Sequence, residues 1–207
     1  MIYELSLVAK SALSDDQVTT LINMVNEVVT AHEGEVLLTD DWGVKTFAQP
    51  TSNGVKTGRF VYFMYKANNA NNTELNRRFK INEEILKTMI IKLSDEVADA
   101  EGLVKGFKSP FSKKFNGSIT DKEDENGDVE KDKRRFARRR SCWFTANGIK
   151  ADWKDPKTFN WLINEFGKIS PARISGISRK HQRFAEVAIK RARNIGVASH
   201  LTGRFAE

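Results

Sequence analysis

The spacing of apolar residues switches between a period of two and a period of about 3.6 along residues 1–94, and this switching restricts the fold more than any other feature of the chain. The opening segment has apolar residues at every second position, which is typical of a β-strand: Tyr3, Leu5, Leu7 and Ala9. Ser14 and Gln17 then match a capping box, and the apolar residues after them recur at helical spacing until Gly34. We therefore predict a strand followed by an amphipathic helix.

The next segments return to the strand pattern. Residues 35–40 and 44–48 are typical of extended chain interrupted by "DWG", and residues 59–66 ("RFVYFMYK") are almost all aromatic or β-branched. Leu75 and Phe79 indicate a short helix, and alternation over residues 85–93 indicates a last strand. The order βαββαβ predicts an α+β protein with a ferredoxin-like domain over residues 1–94, in which both helices cover one face of a four-stranded antiparallel sheet and the other face stays open.

The composition changes after Ser94 to Gly, Ser, Lys and acidic residues, and the segment "DKEDENGDVEKD" has too few apolar residues to form a core. We predict a flexible acidic linker over residues 95–132 and a small, basic, mostly helical domain over residues 133–207. In this domain Asp155 and Pro156 mark the start of a helix that continues to Phe166.

The net charge of +7 is unevenly distributed along the chain. From Lys131 onward there are 19 basic and 6 acidic residues, whereas the preceding residues include 15 basic and 21 acidic ones. Such a concentration of positive charge opposes compaction unless a polyanion or an acidic neighbour neutralises it. A merely solvated face is the alternative, and we favour binding to a polyanion.

A second helix of the basic domain, capped by Ser178, concentrates this charge. In helical projection its cations fall within an arc of about 160°, opposite an apolar side that includes Phe184, Ala185 and Ala188. Glu186 is the one acidic residue of the helix, so most of the cations lack an intrahelical partner. We predict that this face contacts RNA phosphates through six side chains: Arg179, Lys180, Arg183, Lys190, Arg191 and Arg193.

Four aromatic residues are expected at an interface between the two halves of the chain, the ferredoxin-like domain (first half) and the basic domain (second or basic half). Phe60 and Tyr62 share one face of the strand "KTGRFVYF", which loosely matches an RNA-recognition strand, so base stacking on the open sheet is an alternative to coverage by a partner. Trp143 and Phe144 are adjacent large aromatics expected to act as anchors. Local packing of this pair against residues 156–166 is the alternative for them.

The sequence argues against catalysis and cofactor binding. His32, His181 and His200 have no neighbouring ligands at metal-binding spacing, and Cys142, the only cysteine, has no sequence-local general base. No glycine-rich phosphate loop occurs, and no apolar run approaches the roughly 18 residues of a membrane span. We predict no catalytic site, no metal, no cofactor, no small-molecule substrate and no membrane partner.

Several longer segments carry a resemblance to known families. "RRRSCWFTANG", "FGKISPARISGIS" and "QRFAEVAIKRAR" resemble bacterial small-subunit ribosomal protein eighteen over residues 134–195. "DWGVKTFAQP" and "RFKINEEILKTMIIK" are similar to ribosomal protein six of the same subunit over residues 2–94. The chain thus resembles a covalent fusion of two proteins that pair and bind the central domain of small-subunit ribosomal RNA.

Carried over by position, the resemblance implies RNA contacts outside the second helix as well: Arg134, Arg138, Arg139, Arg140, Lys168 and Arg173. It implies a structural, non-catalytic component of a cytoplasmic ribosome, with ribosomal RNA and neighbouring ribosomal proteins as partners; an organellar ribosome is the alternative location. Two other functions are weighed: a free-standing RNA-binding translational regulator that stacks bases on the open sheet, and an acylphosphatase-like enzyme on the same fold.

Overall fold

The computed structural model describes residues 1–96, 99–107, 109 and 142–206. Its first half contains β1 (Ile2–Lys10), α1 (Asp15–Ala31), β2 (Glu35–Thr46), β3 (Thr57–Lys66), α2 (Asn69–Ile81) and β4 (Ile85–Ser94). After these come α3 (Ala100–Gly106), α4 (Trp143–Asn147), two 3₁₀ turns (Pro156–Thr158 and Asn160–Leu162), α5 (Ala172–Ser175) and α6 (Arg179–Ile195). The protein is α+β, and the predicted βαββαβ order of the first half is confirmed.

The four strands form one antiparallel sheet in the order β2-β3-β1-β4, which is the ferredoxin-like arrangement. β1 is central, and Leu5 lies opposite Phe63 on β3 and Ile90 on β4. The predicted interruption of the second strand at "DWG" is corrected, because β2 runs without a break through these residues. A β-bulge there, with Gly43 at φ 74°, absorbs the extra residue instead of ending the strand.

The two helices cover one face of the sheet because alternate residues of β1 and β3 are apolar on that side. The predicted capping box of α1 is present: Ser14 Oγ accepts from the Gln17 amide, and the Gln17 side chain accepts from the Ser14 amide. The core on this side combines α1 and α2 residues with Leu5, Leu7, Val61, Phe63 and Tyr65. Phe60, Tyr62 and Met64 therefore point to the opposite face.

The predicted helix over residues 156–166 is not formed. Asp155 does accept from the Lys157 amide with Pro156 at the first position, as expected for a helix start, but only two separate 3₁₀ turns follow. Side-chain oxygens of Asn160 and Asn164 accept hydrogen bonds from nearby backbone amides and divert the chain from helical pairing. The chain then reverses, and Ile163 pairs with Ile169 in an antiparallel bridge.

The second half packs on the sheet face that α1 and α2 leave uncovered. α6, the 3₁₀ turns and the segment after α6 form one core cluster with residues from that face. Within the predicted linker, α3 is ordered near β2, and the Phe107 ring stacks on Tyr62 with centroids 4.8 Å apart. The domain boundaries at residues 94 and 132 stay predictions, and most of the linker lies outside the described residues.

Candidate nucleic-acid interface

The side of α6 that faces away from the sheet carries the predicted cation surface. Ser178 caps the helix by accepting from the His181 amide, and Ala185, Ala188, Ile189, Ala192 and Ile195 are buried against the core. Arg179, Lys180, Arg183 and Lys190 are exposed, and Arg191 is half-buried. Lys168 and Arg173, which precede the helix, are also exposed. We refer to Arg179, Lys180, Arg183, Lys190 and Arg191 as the cation face.

Most of the cation face is electrostatically unpaired. Lys190 forms an i, i+4 ion pair with Glu186, but no other residue of the face forms a salt bridge within the described part of the chain. An exposed guanidinium or ammonium that forms no salt bridge contributes little to the stability of the fold. These charges are therefore free to contact an external anion.

Arg193 does not belong to the cation face. Its Nη2 donates to the carbonyl oxygen of Gly167 and its Nε donates to that of Ser199, so it connects α6 to the loop before it and to the segment after it. Burial lowers the pKa of the guanidinium, although the side chain stays charged. Helical angle and the resemblance both placed Arg193 among the RNA contacts, and that placement stays a prediction. Because its donors are held by two backbone carbonyls, we expect a structural role for Arg193 instead.

Phe184 is the second departure from the helical projection. It was expected on the packed side of α6, yet it is 49% exposed and Ile189 is buried in its place. The projected angle of Phe184 lies at the border of the buried face, and the sheet covers only the residues nearest the centre of that face.

Four further predicted RNA contacts lie outside the described residues: Arg134, Arg138, Arg139 and Arg140.

Trp143 and Phe144 make their ring contacts within the second half. Phe144 is buried beside Trp161 and His181, with ring centroids 5.8 and 5.5 Å away, and Trp143 contacts Trp161 at 5.3 Å. These ring contacts correspond to the local-packing alternative. Phe144 also belongs to the core cluster that combines both halves, so the assignment of the pair to the interface stays a prediction. Phe60 and Tyr62 do lie at that interface, and both are almost completely buried. They are not available as a platform for stacked bases.

A buried polar cluster that the sequence reasoning missed connects the two halves. Glu4 on β1 is 2% exposed and accepts from Trp153 Nε1 at 2.8 Å, Tyr62 Oη at 3.0 Å and Lys154 Nζ at 3.2 Å. Lys154 also pairs with Asp152, so both charges are compensated. Burial and the adjacent Glu4 carboxylate raise the pKa of Tyr62, which keeps its hydroxyl protonated as a donor. Strand alternation could have revealed this cluster, since it places Glu4 on the Tyr62 face.

A second group of contacts joins the halves at the C-terminal end of α6. Gly196 ends the helix in the left-handed region, and its carbonyl accepts from the Ala48 amide at 3.0 Å. Lys87 on β4 donates to the Asn194 carbonyl at 3.2 Å, and burial lowers its pKa. Gln49 accepts from the His200 amide at 3.1 Å. Aromatic packing and polar contacts thus fix the basic half on the sheet with its cation face directed outward.

Metal-ligating, membrane-spanning and thiol groups determine what other chemistry the described residues offer. The described residues contain no group of three metal-ligating side chains, and none of the helices they form is long and apolar enough to cross a bilayer. Cys142 Sγ lies 3.2 Å from His181 Nδ1. Partial burial acts to raise the pKa of this thiol, but hydrogen bonds from Ser178 and Thr145 outweigh it and lower the pKa to about 6.

Known proteins resemble the two halves separately. Small ribosomal subunit protein bS18 of Syntrophobacter fumaroxidans is 44% identical over 75 residues, which cover 36% of this chain and 93% of that protein. The bS18 protein of Geotalea uraniireducens is 53% identical over 66 residues, covering 31% of this chain and 72% of that protein. The crystal structure of 30S ribosomal protein S6 from Thermotoga maritima superposes on this chain with a TM-score of 0.44 and 16% sequence identity. The match covers 50% of this chain and 96% of the S6 chain.

A ferredoxin-like sheet covered by a basic half with outward cations defines a polyanion-binding protein of two docked parts. The family model for ribosomal protein S6 matches residues 2–92, and that for ribosomal protein S18 matches residues 147–198. The chain belongs to the bS18 family of small ribosomal subunit proteins and carries a ribosomal protein S6 region fused to it. The resemblance stated from the sequence is thereby confirmed.

Proposed function

We propose that this chain is a structural, non-catalytic constituent of the small ribosomal subunit that binds the central domain of small-subunit ribosomal RNA as a covalently joined pair. The observation that carries the proposal is the outward cation face of α6 on a half that is docked through its opposite side. Arg179, Lys180 and Arg183 form no ion pair with any residue that the structure describes, and Lys168 and Arg173 extend the exposed charge towards the preceding loop.

Docking determines which surface is available to RNA. The apolar side of α6 and the aromatic face of the sheet cover each other, so the side of α6 that stays accessible is the one that carries the cation face. Contacts to phosphates position a protein on RNA without reading its sequence, whereas recognition of a particular RNA requires its folded shape. We propose that the fused chain binds a folded part of the central domain and that neighbouring ribosomal proteins complete its surroundings, on a ribosome in the cytoplasm.

The free-standing regulator receives no support from the fold, because the sheet face that it would use for stacking is buried. Phe60 is 1% exposed and Tyr62 is fully buried. Sedimentation separates the two functions. A subunit constituent is expected at one copy per small subunit after a high-salt wash, whereas a regulator would be released by the wash.

A binding experiment tests the cation face directly. The affinity of the full chain for a transcript of the central domain is measured over a range of salt concentrations. The triple variant Arg179→Ala, Lys180→Ala, Arg183→Ala is expected to flatten the slope of log affinity against log salt by about two to three, since each lost phosphate contact removes about 0.7–0.9. A matched variant, Lys10→Ala, Lys56→Ala, Lys80→Ala, removes three exposed cations from the first half.

The control variant is expected to keep the slope of the unmodified chain. Equal slopes for the two triple variants would show that binding depends on total charge and not on the cation face, and the proposed RNA surface would be wrong. Unchanged helicity in circular dichroism confirms that the alanine substitutions leave α6 folded.

A further inference from the structure

A row of aromatic rings lies beside the cation face and is not explained by docking or by phosphate contacts. Trp161 and Trp143 have ring centroids 5.3 Å apart, and Phe144 lies 5.8 Å from Trp161. His181 continues the row at 5.5 Å from Phe144, and Phe184 follows at 6.5 Å from His181. We call Trp143, Trp161 and Phe184, together with the two rings between them, the aromatic row.

The members of the row differ in their exposure. Phe144 is 1% exposed and supports the row from behind, whereas Trp143 is 37%, Trp161 is 40% and Phe184 is 49% exposed. Three large rings therefore present surface to solvent from one connected group. A single exposed apolar side chain is ordinary, but a contiguous aromatic patch indicates a binding surface.

The charges around the row identify the kind of partner. One stripe of α6 contains, at positions i, i+4, i+7 and i+11, the residues Lys180, Phe184, Val187 and Arg191. The two apolar side chains of this stripe, Phe184 and Val187, are exposed and have a cation on either side. Arg183 adjoins Phe184, and neither Lys180 nor Arg183 forms a salt bridge within the described residues. Cations beside exposed aromatic rings are the combination that binds single-stranded nucleic acid, where the cations contact the backbone and the rings stack on bases.

We infer that the aromatic row stacks one or two unpaired bases of the bound RNA, with the flanking phosphates on Lys180 and Arg183. This inference rests on the proposed function and specifies which part of the RNA the surface takes. A perfect duplex does not suit the row, because its bases are stacked on one another and their faces are inaccessible. A bulged or single-stranded segment next to a helix offers both a free base face and closely spaced phosphates.

The test compares RNA of two kinds with the full chain. The probes are a single strand of about ten uridines, within the usual site size for such surfaces, and a perfect RNA duplex of similar length. The variant Trp161→Leu, Phe184→Leu keeps apolar side chains but removes two rings. The matched control is Phe166→Leu, since Phe166 is 75% exposed and has no ring contact with the row among the described residues.

The double variant is expected to lose about 5- to 150-fold in affinity for the single strand, which corresponds to about 1–3 kcal/mol for one stacked base. Its affinity for the duplex and the salt slope for the single strand are expected to stay unchanged, because the cations are intact. The control should bind both probes as the unmodified chain does, and Phe184→Tyr should retain the affinity that Phe184→Leu loses.

Tryptophan fluorescence provides an independent readout. Trp42 and Trp153 are buried at 6% and 3% exposure, so quenching by acrylamide reports mainly on Trp143 and Trp161. The single strand is expected to reduce acrylamide quenching, and the duplex is expected to change it less.

Two results would overturn the stacking inference while leaving the proposed function intact. The first is that the double variant binds the single strand as tightly as the unmodified chain does, while the cation-face triple variant still flattens the slope of log affinity against log salt for the central-domain transcript. The other is a double variant with unchanged RNA affinity that no longer joins the small subunit, which would assign the row to a protein partner. Failure of the unmodified chain to bind any of the RNAs would instead reject the proposed function.

Discussion

Replacing Glu4 by leucine tests how the two halves are held together. Leucine fits the apolar surroundings of the sheet face, but it removes both carboxylate oxygens. The Trp153 indole and the Tyr62 hydroxyl, 3% and 0% exposed as residues, then lose their acceptor. Lys154 keeps Asp152 as a partner, so its charge remains compensated.

The expected cost follows from these contacts. A buried donor left without an acceptor costs about 1–3 kcal/mol, and removing one member of a buried ion pair costs about 3–5 kcal/mol. Because Lys154 retains Asp152, the full ion-pair cost does not apply, and the two donors without an acceptor together cost about 2–6 kcal/mol. We therefore expect Glu4→Leu to lower the free energy of unfolding by about 3–5 kcal/mol, near the middle of that range. Trp153→Phe, which removes only one donor, should cost about 1–2 kcal/mol.

Urea unfolding of the full chain measures the loss. Glu35→Leu is the matched control, because Glu35 lies on β2 and is exposed, and its replacement should change stability by no more than about 0.5 kcal/mol. A protease site inserted within residues 110–141 allows the same comparison on the cleaved pair. There the dissociation constant of the two halves should rise by about two to four orders of magnitude for Glu4→Leu.

Equal effects of Glu4→Leu and Glu35→Leu would show that the Glu4 carboxylate does not hold the two halves together. A compensating variant examines the cause: Glu4→Leu combined with Tyr62→Phe, Trp153→Phe and Lys154→Met removes the donors together with the acceptor. Because replacing a whole buried polar cluster by apolar residues is often close to neutral, this variant should recover most of the lost stability. If it does not, the loss arises from packing and not from unsatisfied donors.

Three further predictions concern single residues. Arg193→Ala should lower the thermal midpoint by several degrees, because two carbonyl contacts are lost, and it should leave the salt slope of RNA binding unchanged. Arg191→Ala should leave the thermal midpoint unchanged and flatten the salt slope. Calorimetry and binding measure the two effects, and equal salt slopes for the two variants would contradict the assignment. Gly196→Ala should cost about 1–3 kcal/mol in urea unfolding, because φ is 95° and the new Cβ would lie 2.9 Å from the Phe47 ring; a neutral effect would show that this junction yields. The rate of alkylation of Cys142 should reach half its maximum near pH 6 in the folded chain, because the thiolate is stabilised there, and at a higher pH in urea; identical pH profiles would contradict the lowered pKa.

The sequence determined the first half well because its signals are local. Strand alternation in β1 and β3, the capping box of α1 and the order of elements define two faces of a sheet without reference to distant residues. Alternation also separated Phe60 and Tyr62 from Val61 and Phe63, which indicated that a partner covers the second face. The uneven charge and the cap at Ser178 located α6 and most of its outward cations.

Tertiary structure decided the features in which a side chain selects among distant partners. Helical angle groups Arg193 with the outward cations, but the loop at Gly167 and the segment at Ser199 pass close enough to take its donors. The apolar residues within 156–166 have helical spacing, yet no helix forms there, because the side chains of Asn160 and Asn164 accept hydrogen bonds from nearby backbone amides. Glu4 becomes a buried acceptor only because Trp153, distant in sequence, docks above it. Sequence periodicity indicates which face of an element is apolar, while the identity of the group that covers it depends on contacts between residues far apart in the chain.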